Sequence, residues 1–468
     1  MKQTGLILLI LVISVVSATF MSCSDDDEIP IEVVWDGRLP QPQDADYAFG
    51  GGSGTESDPY CISSPLHLAQ LASNVNGGVS NYSGKYFRQT GDINLENHEW
   101  TPIGIGAGIL FAGQYDGGSF TISGLSITQW GGDNVGLFGC VQKAVLKNIN
   151  LEGTIALVDK DELAVLGNMG HFYCGSVCGV AQNSVIENCT YDGSIDATTV
   201  RYVGGICGGM LEEGSFDNCE NQADLNSVTV GGIVGYMSGY AIVVTHCRNS
   251  GIVRGSWYAG GILGESNSSY SWEEGTFSLT ITCCENTGDI YSSWYAGGLG
   301  GLMTCDDSSL GAETPFILVK GCCNTAPVTI EYRNQLPMLG GLFGYVAYTH
   351  LIACYNTGLL STDGSANKVT IGGLVGLTVF CNTFTSCYRA GDIDELERGA
   401  MIGKLSDLEP YGIEYKDCWT SKYLSEADEK NLSLFGAGAW PQMSEYWVSV
   451  GGWNNGNPVY PQLWWKSK

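Results

Sequence analysis

A short apolar phrase flanked by glycines recurs along this chain and constrains its fold more than any other feature. One copy reads SVTVGGIVGY, from Ser227 to Tyr236. Apolar residues alternate with other residues ahead of the glycines, which is typical of a strand, and glycines inside a strand mark a tight bend or a close backbone approach. Further copies are RYVGGICGG at Arg201, WYAGGILGE at Trp257, WYAGGLGGL at Trp294, PMLGGLFGY at Pro337 and VTIGGLVGL at Val369, with looser copies at Asp133, Cys174 and Arg398.

A second repeated segment follows each glycine phrase and carries a cysteine. In an early copy, LKNINLEGTI, Ile149 occupies the cysteine position. An aliphatic substitute indicates a small apolar site inside the fold, because free cysteine behaves as a small hydrophobic residue. The pattern therefore predicts a column of interior thiols: Cys189, Cys219, Cys247, Cys284, Cys322, Cys354 and Cys387.

An asparagine stands two residues after most of these cysteines. Tyr191 and Arg389 take its place in two copies. Asparagine amides stacked on successive copies can bond one another and satisfy polar groups that would otherwise be buried without partners. The predicted asparagine column contains Asn221, Asn249, Asn286, Asn324 and Asn356.

Repetition at this period predicts a stacked, all-β architecture. One unit of roughly 30 residues is too short to bury its own apolar face, but copies stacked on each other make a continuous core. Stacked coils lie about 4.8 Å apart, so like residues fall above like. We predict a parallel β-helix. The alternative is a propeller, whose four-stranded blades need about 40 residues or more.

Both ends of the repeat region differ from its middle, as a solenoid requires. Ser64 and Pro65 begin a predicted helix that ends at Gly77, with Leu68, Leu71, Ala72 and Val75 on one face. We predict a signal peptide at 1–22, an acidic flexible tether at 23–45, an N-terminal cap with the first coils at 46–130, repeats at 131–425 and an aromatic-rich C-terminal cap at 426–468.

The first residues indicate export and a lipid anchor. Lys2 precedes an apolar run from Gly5 to Val16, and the segment SATFMSC follows. FMSC resembles a bacterial lipobox with Cys23 as the lipidated residue. The acidic SDDDE after it is similar to tags that direct lipoproteins to the outer face of the outer membrane. We expect a lipid-anchored, surface-exposed outer-membrane protein; plain secretion is the alternative.

The net charge limits the classes of partner that the chain can bind. The formal net charge is −28, which argues against binding nucleic acid or anionic lipid headgroups.

Eighteen cysteines would ordinarily suggest disulfides in an exported protein, but the repeat pattern favours free thiols. One bridge, between Cys283 and Cys322 on adjacent coils, remains open. In the vicinal pairs Cys283–Cys284 and Cys322–Cys323, one cysteine is expected to face outward.

The repeats resemble the GLUG-motif family, named for a Gly-Leu-any-Gly core. The matching segments are GLFG at Gly136, GLFG at Gly341 and GLVG at Gly373, with an entry segment that begins near Gly52. The resemblance implies a bacterial surface or secreted protein. Some family members sit beside an immunoglobulin-cleaving metallopeptidase domain, which needs a His-Glu-x-x-His helix. The histidines here form no such pair, so that activity is not inferred.

An aromatic row provides the candidate binding site. Tyr202, Tyr258 and Tyr295 share one repeat position on the strand face opposite the apolar column, and Trp257 and Trp294 precede two of them. Outward rings in line suit the faces of sugars or a protein partner. In the alternative reading, the tryptophans point inward and the tyrosines only cover the surface.

Catalytic and metal chemistry are not predicted. The repeat-matched acids Asp289 and Asp392 lie several coils apart, farther than the carboxylate pair of a glycosidase. We expect no cofactor, no metal and no catalytic residue. The sequence favours a non-enzymatic adhesin or ligand-binding solenoid for a glycan or a host protein. A polysaccharide lyase or glycoside hydrolase on a β-helix and a structural spacer of the cell envelope are the alternatives.

Overall fold

The chain winds as a parallel β-helix, which confirms the predicted fold class. The computed structural model describes residues 35–42, 49–106, 108–129, 132–157, 171–268, 278–305, 316–331, 336–364, 369–380 and 382–390, and the short pieces 398–399, 402–405, 414–416, 419–420, 452–454, 457–459, 463 and 465–466. The signal peptide at 1–22, Cys23 and most of the predicted C-terminal cap lie outside the described residues. Strands of successive coils pair in parallel and in register, in two large sheets.

The first sheet contains 18 strands among the described residues. They are Tyr60–Ile62, Tyr86–Gln89, Gln114–Asp116, Phe138–Gln142, Val145–Lys147, Cys178–Glu187, Cys207–Asp217, Val234–Thr245, Leu263–Ser268, Leu279–Thr282, Gly300–Cys305, Ile317–Lys320, Phe343–Ala347, Thr349–Ile352, Val375–Val379, Thr383–Thr385, Ile402–Leu405 and Glu414–Lys416.

The second sheet contains 23 strands in the part of the chain that the structure describes. They are Ile93–Asn94, Thr121–Ile127, Asn134–Val135, Asn150–Ala156, His171–Gly175, Thr190–Asp196, Val200–Gly204, Glu220–Asn221, Asp224–Gly231, Arg248–Asn249, Val253–Gly260, Glu285–Asn286, Ile290–Ser292, Tyr295–Gly297, Cys323–Asn324, Val328–Ile330, Met338–Gly340, Tyr355–Asn356, Leu360–Thr362, Thr370–Gly372, Tyr388–Arg389, Arg398–Gly399 and Trp419–Thr420. Gly452–Asn454 and Asn457–Val459 form a separate antiparallel pair.

One coil shows how the repeat builds both sheets. Val200–Gly204 runs in the second sheet, and a glycine bend leads into Cys207–Asp217 of the first sheet. Asn218 then turns the chain with a positive φ of 51°, and Asp224–Gly231 returns to the second sheet. Apolar side chains from both sheets are buried between them, so each coil contributes one layer to a continuous core.

The cysteine column lies in the interior beside this turn. Each of the seven cysteines is at most 1% exposed. Successive coils bond through their backbones, as where Arg248 N donates to Cys219 O at 2.9 Å and Glu285 N donates to Cys247 O at 3.0 Å. Burial raises the pKa of the Cys247 thiol well above its ordinary value. Buried free cysteines of this kind pack as small hydrophobic residues.

The vicinal cysteines differ from expectation. The described cysteines, Cys283 and Cys322 among them, are free thiols, so the bridge left open by the sequence is not formed. Neither Cys283 nor Cys323 belongs to the apolar core, which agrees with the outward direction expected of them, but Cys283 is only 8% exposed and Cys323 is fully buried. Lys466, whose ammonium bonds the Cys323 thiol, covers that position. The covering residue is remote in sequence, which is why the pattern could not indicate it.

The asparagine column forms a continuous buried amide ladder. Asn221 Nδ2 donates to Asn249 Oδ1 at 2.8 Å, and Asn249 Nδ2 donates to Asn286 Oδ1 at 2.8 Å. Asn286 and Asn324 continue the series to Asn356, with Nδ2-to-Oδ1 distances of 2.7 and 2.8 Å. Each amide also donates to the carbonyl two residues ahead. The ladder thus satisfies buried polar groups at each coil while linking the coils.

A second polar ladder, which the sequence analysis did not single out, lies at the turn before the cysteines. Asn148, Asn188 and Asn218 hold φ values of 55°, 52° and 51°, a left-handed conformation that asparagine tolerates better than most residues. Asn218 Nδ2 donates to Asn188 Oδ1 at 2.9 Å, and Asn188 Nδ2 donates to Asn148 Oδ1 at 3.1 Å. The same asparagines therefore both form the turn and link adjacent coils through hydrogen bonds.

The N-terminal end is closed by a helix spanning Pro65–Asn76. The Ser64 hydroxyl accepts a hydrogen bond from His67 N at 3.3 Å, and Leu68, Leu71 and Ala72 are fully buried. No helix among the described residues is long and apolar enough to cross a membrane.

The predicted tether at 23–45 is too long at its C-terminal end. Trp35 is 3% exposed, and its ring lies edge-on to Trp100 at 5.6 Å between centroids. Ser73 Oγ donates to Pro40 O at 2.6 Å, and Gln70 Nε2 donates to Gln41 O at 2.9 Å. Residues 35–42 therefore pack on the cap, where the buried tryptophan and these hydrogen bonds oppose the entropic cost of ordering the segment.

Candidate functional site

The glycine phrase brings two columns of side chains together, one from each sheet. In the second sheet the register stacks Tyr173, Tyr202, Thr229, Tyr258 and Tyr295 on successive coils. In the first sheet it stacks the residues that follow the last glycine of the phrase: Gly209, Tyr236, Glu265, Leu302 and Tyr345. We call the region formed by Tyr173, Tyr202, Tyr236, Tyr258, Glu265, Tyr295 and Tyr345 the tyrosine cleft.

The two columns complement each other in size. A coil with tyrosine in one column carries a non-aromatic residue in the other, as in the pairs Tyr202 with Gly209 and Thr229 with Tyr236. A Cβ on Gly209 would lie 2.5 Å from the ring of Tyr173. Glycine at this position therefore leaves the space that a ring from another coil occupies.

The rings form two stacks. Tyr202 lies 5.6 Å from Tyr173 and 4.5 Å from Tyr236, measured between ring centroids. Tyr295 lies 5.3 Å from Tyr258 and 5.9 Å from Tyr345, with interplanar angles of 14° and 21°. Such offset stacking stabilises aromatic pairs beyond the area they bury. Thr229, which is fully buried, separates the stacks.

The two predicted tryptophans lie beside the second stack. The ring of Trp294 is 4.8 Å from Tyr295 and 5.5 Å from Tyr258. Trp257 lies 6.4 Å from Tyr258. Both tryptophans are half-buried, so they extend the aromatic surface and do not fill the interior.

A carboxylate and a guanidinium contribute charged groups at the cleft. The Glu265 carboxylate accepts a hydrogen bond from the Tyr202 hydroxyl, and the Arg201 guanidinium lies 5.0 Å from the Tyr202 ring. Burial raises the pKa of Glu265, while Arg201 and the Tyr202 hydroxyl oppose that rise. Burial and the Glu265 charge raise the pKa of Tyr258 to about 12. The Tyr258 hydroxyl is therefore a protonated donor at neutral pH.

Exposure divides the predicted residues into two groups. Tyr258, Tyr295, Trp257 and Trp294 are half-buried, whereas Tyr202 is only 7% exposed. Tyr202 therefore supports its neighbours more than it presents a surface, which corrects the expectation that it faces solvent. It is buried because Tyr173 and Tyr236 cover both its sides.

Sequence reasoning missed half of the cleft. Tyr236, Glu265 and Tyr345 each follow the last glycine of a repeat, in GGIVGY, GGILGE and GGLFGY. The shared repeat position could have identified these residues as one column. The sequence did not show that this column packs against the column of Tyr202, Tyr258 and Tyr295. Tyr173 was missed because its copy of the phrase is irregular.

The predicted absence of catalytic and metal sites is not tested by these contacts. Among the described residues, no group of three or more His, Cys, Asp or Glu side chains could hold a metal ion. Asp289 accepts a hydrogen bond from the Tyr291 hydroxyl at 3.3 Å, and Asp392 lies outside the described residues.

Comparison with known proteins gives partial matches. No family model matches the chain. The chain is 30% identical over 148 residues to a "Putative Gly-rich membrane protein" of Evansella cellulosilytica, matching 30% of this chain and 16% of that protein. It is 28% identical over 166 residues to "Halomucin" of Haloquadratum walsbyi, matching 34% of this chain and 2% of that one. The chain thus covers only a small part of either relative.

One solved structure also resembles the chain. It is the crystal structure of "a putative immunoglobulin A1 protease" from Bacteroides ovatus, with a TM-score of 0.38 and 16% sequence identity. The match covers 88% of this chain and 95% of that chain.

Proposed function

We propose that this protein is a non-enzymatic, lipid-anchored surface protein that binds glycans through the tyrosine cleft. The observation that carries the proposal is the second ring stack, formed by Tyr258, Tyr295 and Tyr345, which is half-buried and flanked by Trp257 and Trp294. Aromatic faces are a natural platform for the apolar faces of sugar rings. The repeats belong to the GLUG type in this proposal, which rests on GLFG at Gly136 and Gly341 and GLVG at Gly373.

The polar groups of the cleft suit hydroxylated ligands. Glu265 supplies carboxylate oxygens that accept hydrogen bonds, while Arg201 and the tyrosine hydroxyls donate. These groups lie between apolar ring faces, the usual composition of a site that orients a ligand through a few polar contacts. Successive coils repeat the platform at about 4.8 Å, which favours an extended chain over a compact small molecule.

Removing the second stack is expected to weaken glycan binding. Tyr258→Ala combined with Tyr295→Ala should lower affinity at least about tenfold for any glycan that the full chain binds on an array, because two stacking faces are lost. Tyr240→Ala is the matched control, since Tyr240 is 51% exposed and lies outside the cleft. Unchanged affinity in the double variant, with the same thermal midpoint as wild type, would remove the cleft from the function.

The anchor and location belong to the same proposal. The lipobox-like FMSC and the acidic SDDDE support lipidation at Cys23 and display on the outer face of the outer membrane. Protease treatment of intact cells is expected to release fragments of the repeat region, and Cys23→Ala should abolish labelling by a palmitate analogue. Fragments that appear only after cell lysis would place the protein elsewhere, and labelling that persists in the variant would exclude Cys23.

A further inference from the structure

A second groove runs along the turn between the cysteine column and the second sheet, away from the tyrosine cleft. Its volume is about 670 Å³. We call it the coil-turn groove and define it by the six lining residues Asp217, Glu220, His246, Arg248, Glu285 and Trp465. From the sequence, Trp465 was expected only to contribute to the C-terminal cap, and the other five residues had no predicted role.

Register explains why polar side chains line this groove. Glu220 pairs with Arg248, and Arg248 pairs with Glu285, as the residues that directly follow the interior cysteines. Because strand faces alternate, the residue after each buried cysteine points outward. On the other side of the cysteine, Asp217 ends a strand and His246 lies in the turn that follows the strand of the next coil. Successive coils therefore add polar groups along the groove at about 4.8 Å intervals.

Most of the polar side chains in the groove already contact one another. His246 Nδ1 and Asp217 Oδ1 are 3.1 Å apart. Glu285, whose side chain is only 8% exposed, bonds Arg248 Nη2 at 3.3 Å and also the Lys466 ammonium. Paired carboxylates are held in fixed positions as hydrogen-bond acceptors, which suits them to orient a neutral ligand.

The remote C-terminal segment supplies an aromatic wall. Trp465 Nε1 donates to Gly321 O at 2.8 Å. The neighbouring Lys466 ammonium bonds Glu285 and donates to the Tyr355 hydroxyl at 3.2 Å. These bonds hold the Trp465 ring against the groove, so a ligand meets a positioned indole with no ordering cost for that side chain.

We propose that the coil-turn groove binds a neutral oligosaccharide, with Trp465 as the stacking face and Glu220 and Arg248 as hydrogen-bonding groups. Planar polar side chains bond the hydroxyl groups of sugars, and an indole face packs on their C–H groups. The carboxylates of Asp217, Glu220 and Glu285 outnumber the cations of Arg248 and Lys466, so uronic and sulfated sugars are disfavoured. This site shares a ligand class with the tyrosine cleft and does not depend on it.

Calorimetric titration of the full mature chain tests the proposal. The probes are cellohexaose, xylohexaose and mannohexaose, with hexagalacturonate as the acidic comparison. At least one neutral probe should bind, and Trp465→Ala and Glu220→Gln should each weaken it at least about tenfold. Trp465→Phe should retain most of the affinity, since it keeps a ring and loses only the Nε1 bond; this separates stacking from loss of the C-terminal segment.

The control variants separate this groove from the cleft. Tyr258→Ala combined with Tyr295→Ala should leave binding of that neutral probe unchanged if the groove holds it. Loss of binding in this double variant but not in Trp465→Ala would overturn the groove and leave the cleft standing. Absence of binding by all three neutral probes, or equal affinity for hexagalacturonate, would also overturn it.

Discussion

Gly261→Ala is expected to lower the free energy of unfolding by about 3 kcal/mol or more, because the interior has no space for the added methyl group. A Cβ at this position would lie 2.3 Å from Asn286 Cγ and 2.4 Å from the backbone oxygen of Gly298. Neither neighbour can move away, since Asn286 is held in the amide ladder and the Gly298 backbone is part of the adjacent coil. The second glycine of the phrase thus makes room for the asparagine of the same repeat.

The matched control for this substitution is Gly91→Ala. Nothing lies within 4 Å of a Cβ built on Gly91, so the change should be close to neutral. Thermal and urea unfolding of both variants, followed by circular dichroism, provide the measurement. Equal midpoints for the two variants would mean that the glycine column is not needed for close packing.

Asn286→Ala is expected to cost about 3 kcal/mol, because the substitution removes three hydrogen bonds in a fully buried place. Asn286 Nδ2 donates to Gly288 O at 2.8 Å and to Asn324 Oδ1 at 2.7 Å, and Asn286 Oδ1 accepts from Asn249 Nδ2 at 2.8 Å. The Asn324 oxygen and the Gly288 carbonyl both lose a donor. Asn324 Oδ1 keeps only a long bond from Ala326 N at 3.4 Å, so most of the cost comes from buried polar groups left poorly paired.

Alanine substitutions at Asn226 and Asn221 provide the matched controls for Asn286→Ala. Asn226 makes a similar amide-to-carboxylate bond, from Nδ2 to Asp196 Oδ1 at 2.9 Å, but at the exposed surface; Asn226→Ala should cost less than about 1 kcal/mol. Asn221 stands at the end of the ladder, where its Oδ1 has no hydrogen-bond partner in the described structure. Asn221→Ala should therefore fall between the other two. Urea midpoints that do not follow this order would contradict the ladder as a source of stability.

The two proposed sites use the same building rule. In each site, residues at one repeat position form a column, and a second element packs beside that column. The cleft joins Tyr295 of the second sheet to Tyr345 of the first, and the groove joins Glu285 to the C-terminal Lys466. Substitutions at outward positions such as Tyr258 and Glu220 change these surfaces while the interior columns stay intact, so binding and stability can be measured separately.

The sequence by itself determined that the chain winds into stacked coils. A period of roughly 30 residues demands stacking, and in-register stacking places Cys219 beneath Cys247 and Asn249 beneath Asn286 with no further information. What only the tertiary structure decided are contacts between columns and between distant segments. Tyr236 reaches across the bend to Tyr202, and Trp465 returns to a coil 144 residues earlier. Repetition specifies what lies above and below a residue, but it carries no information about what lies beside it, because sideways contacts depend on bend angles and on chain ends that no repeat encodes.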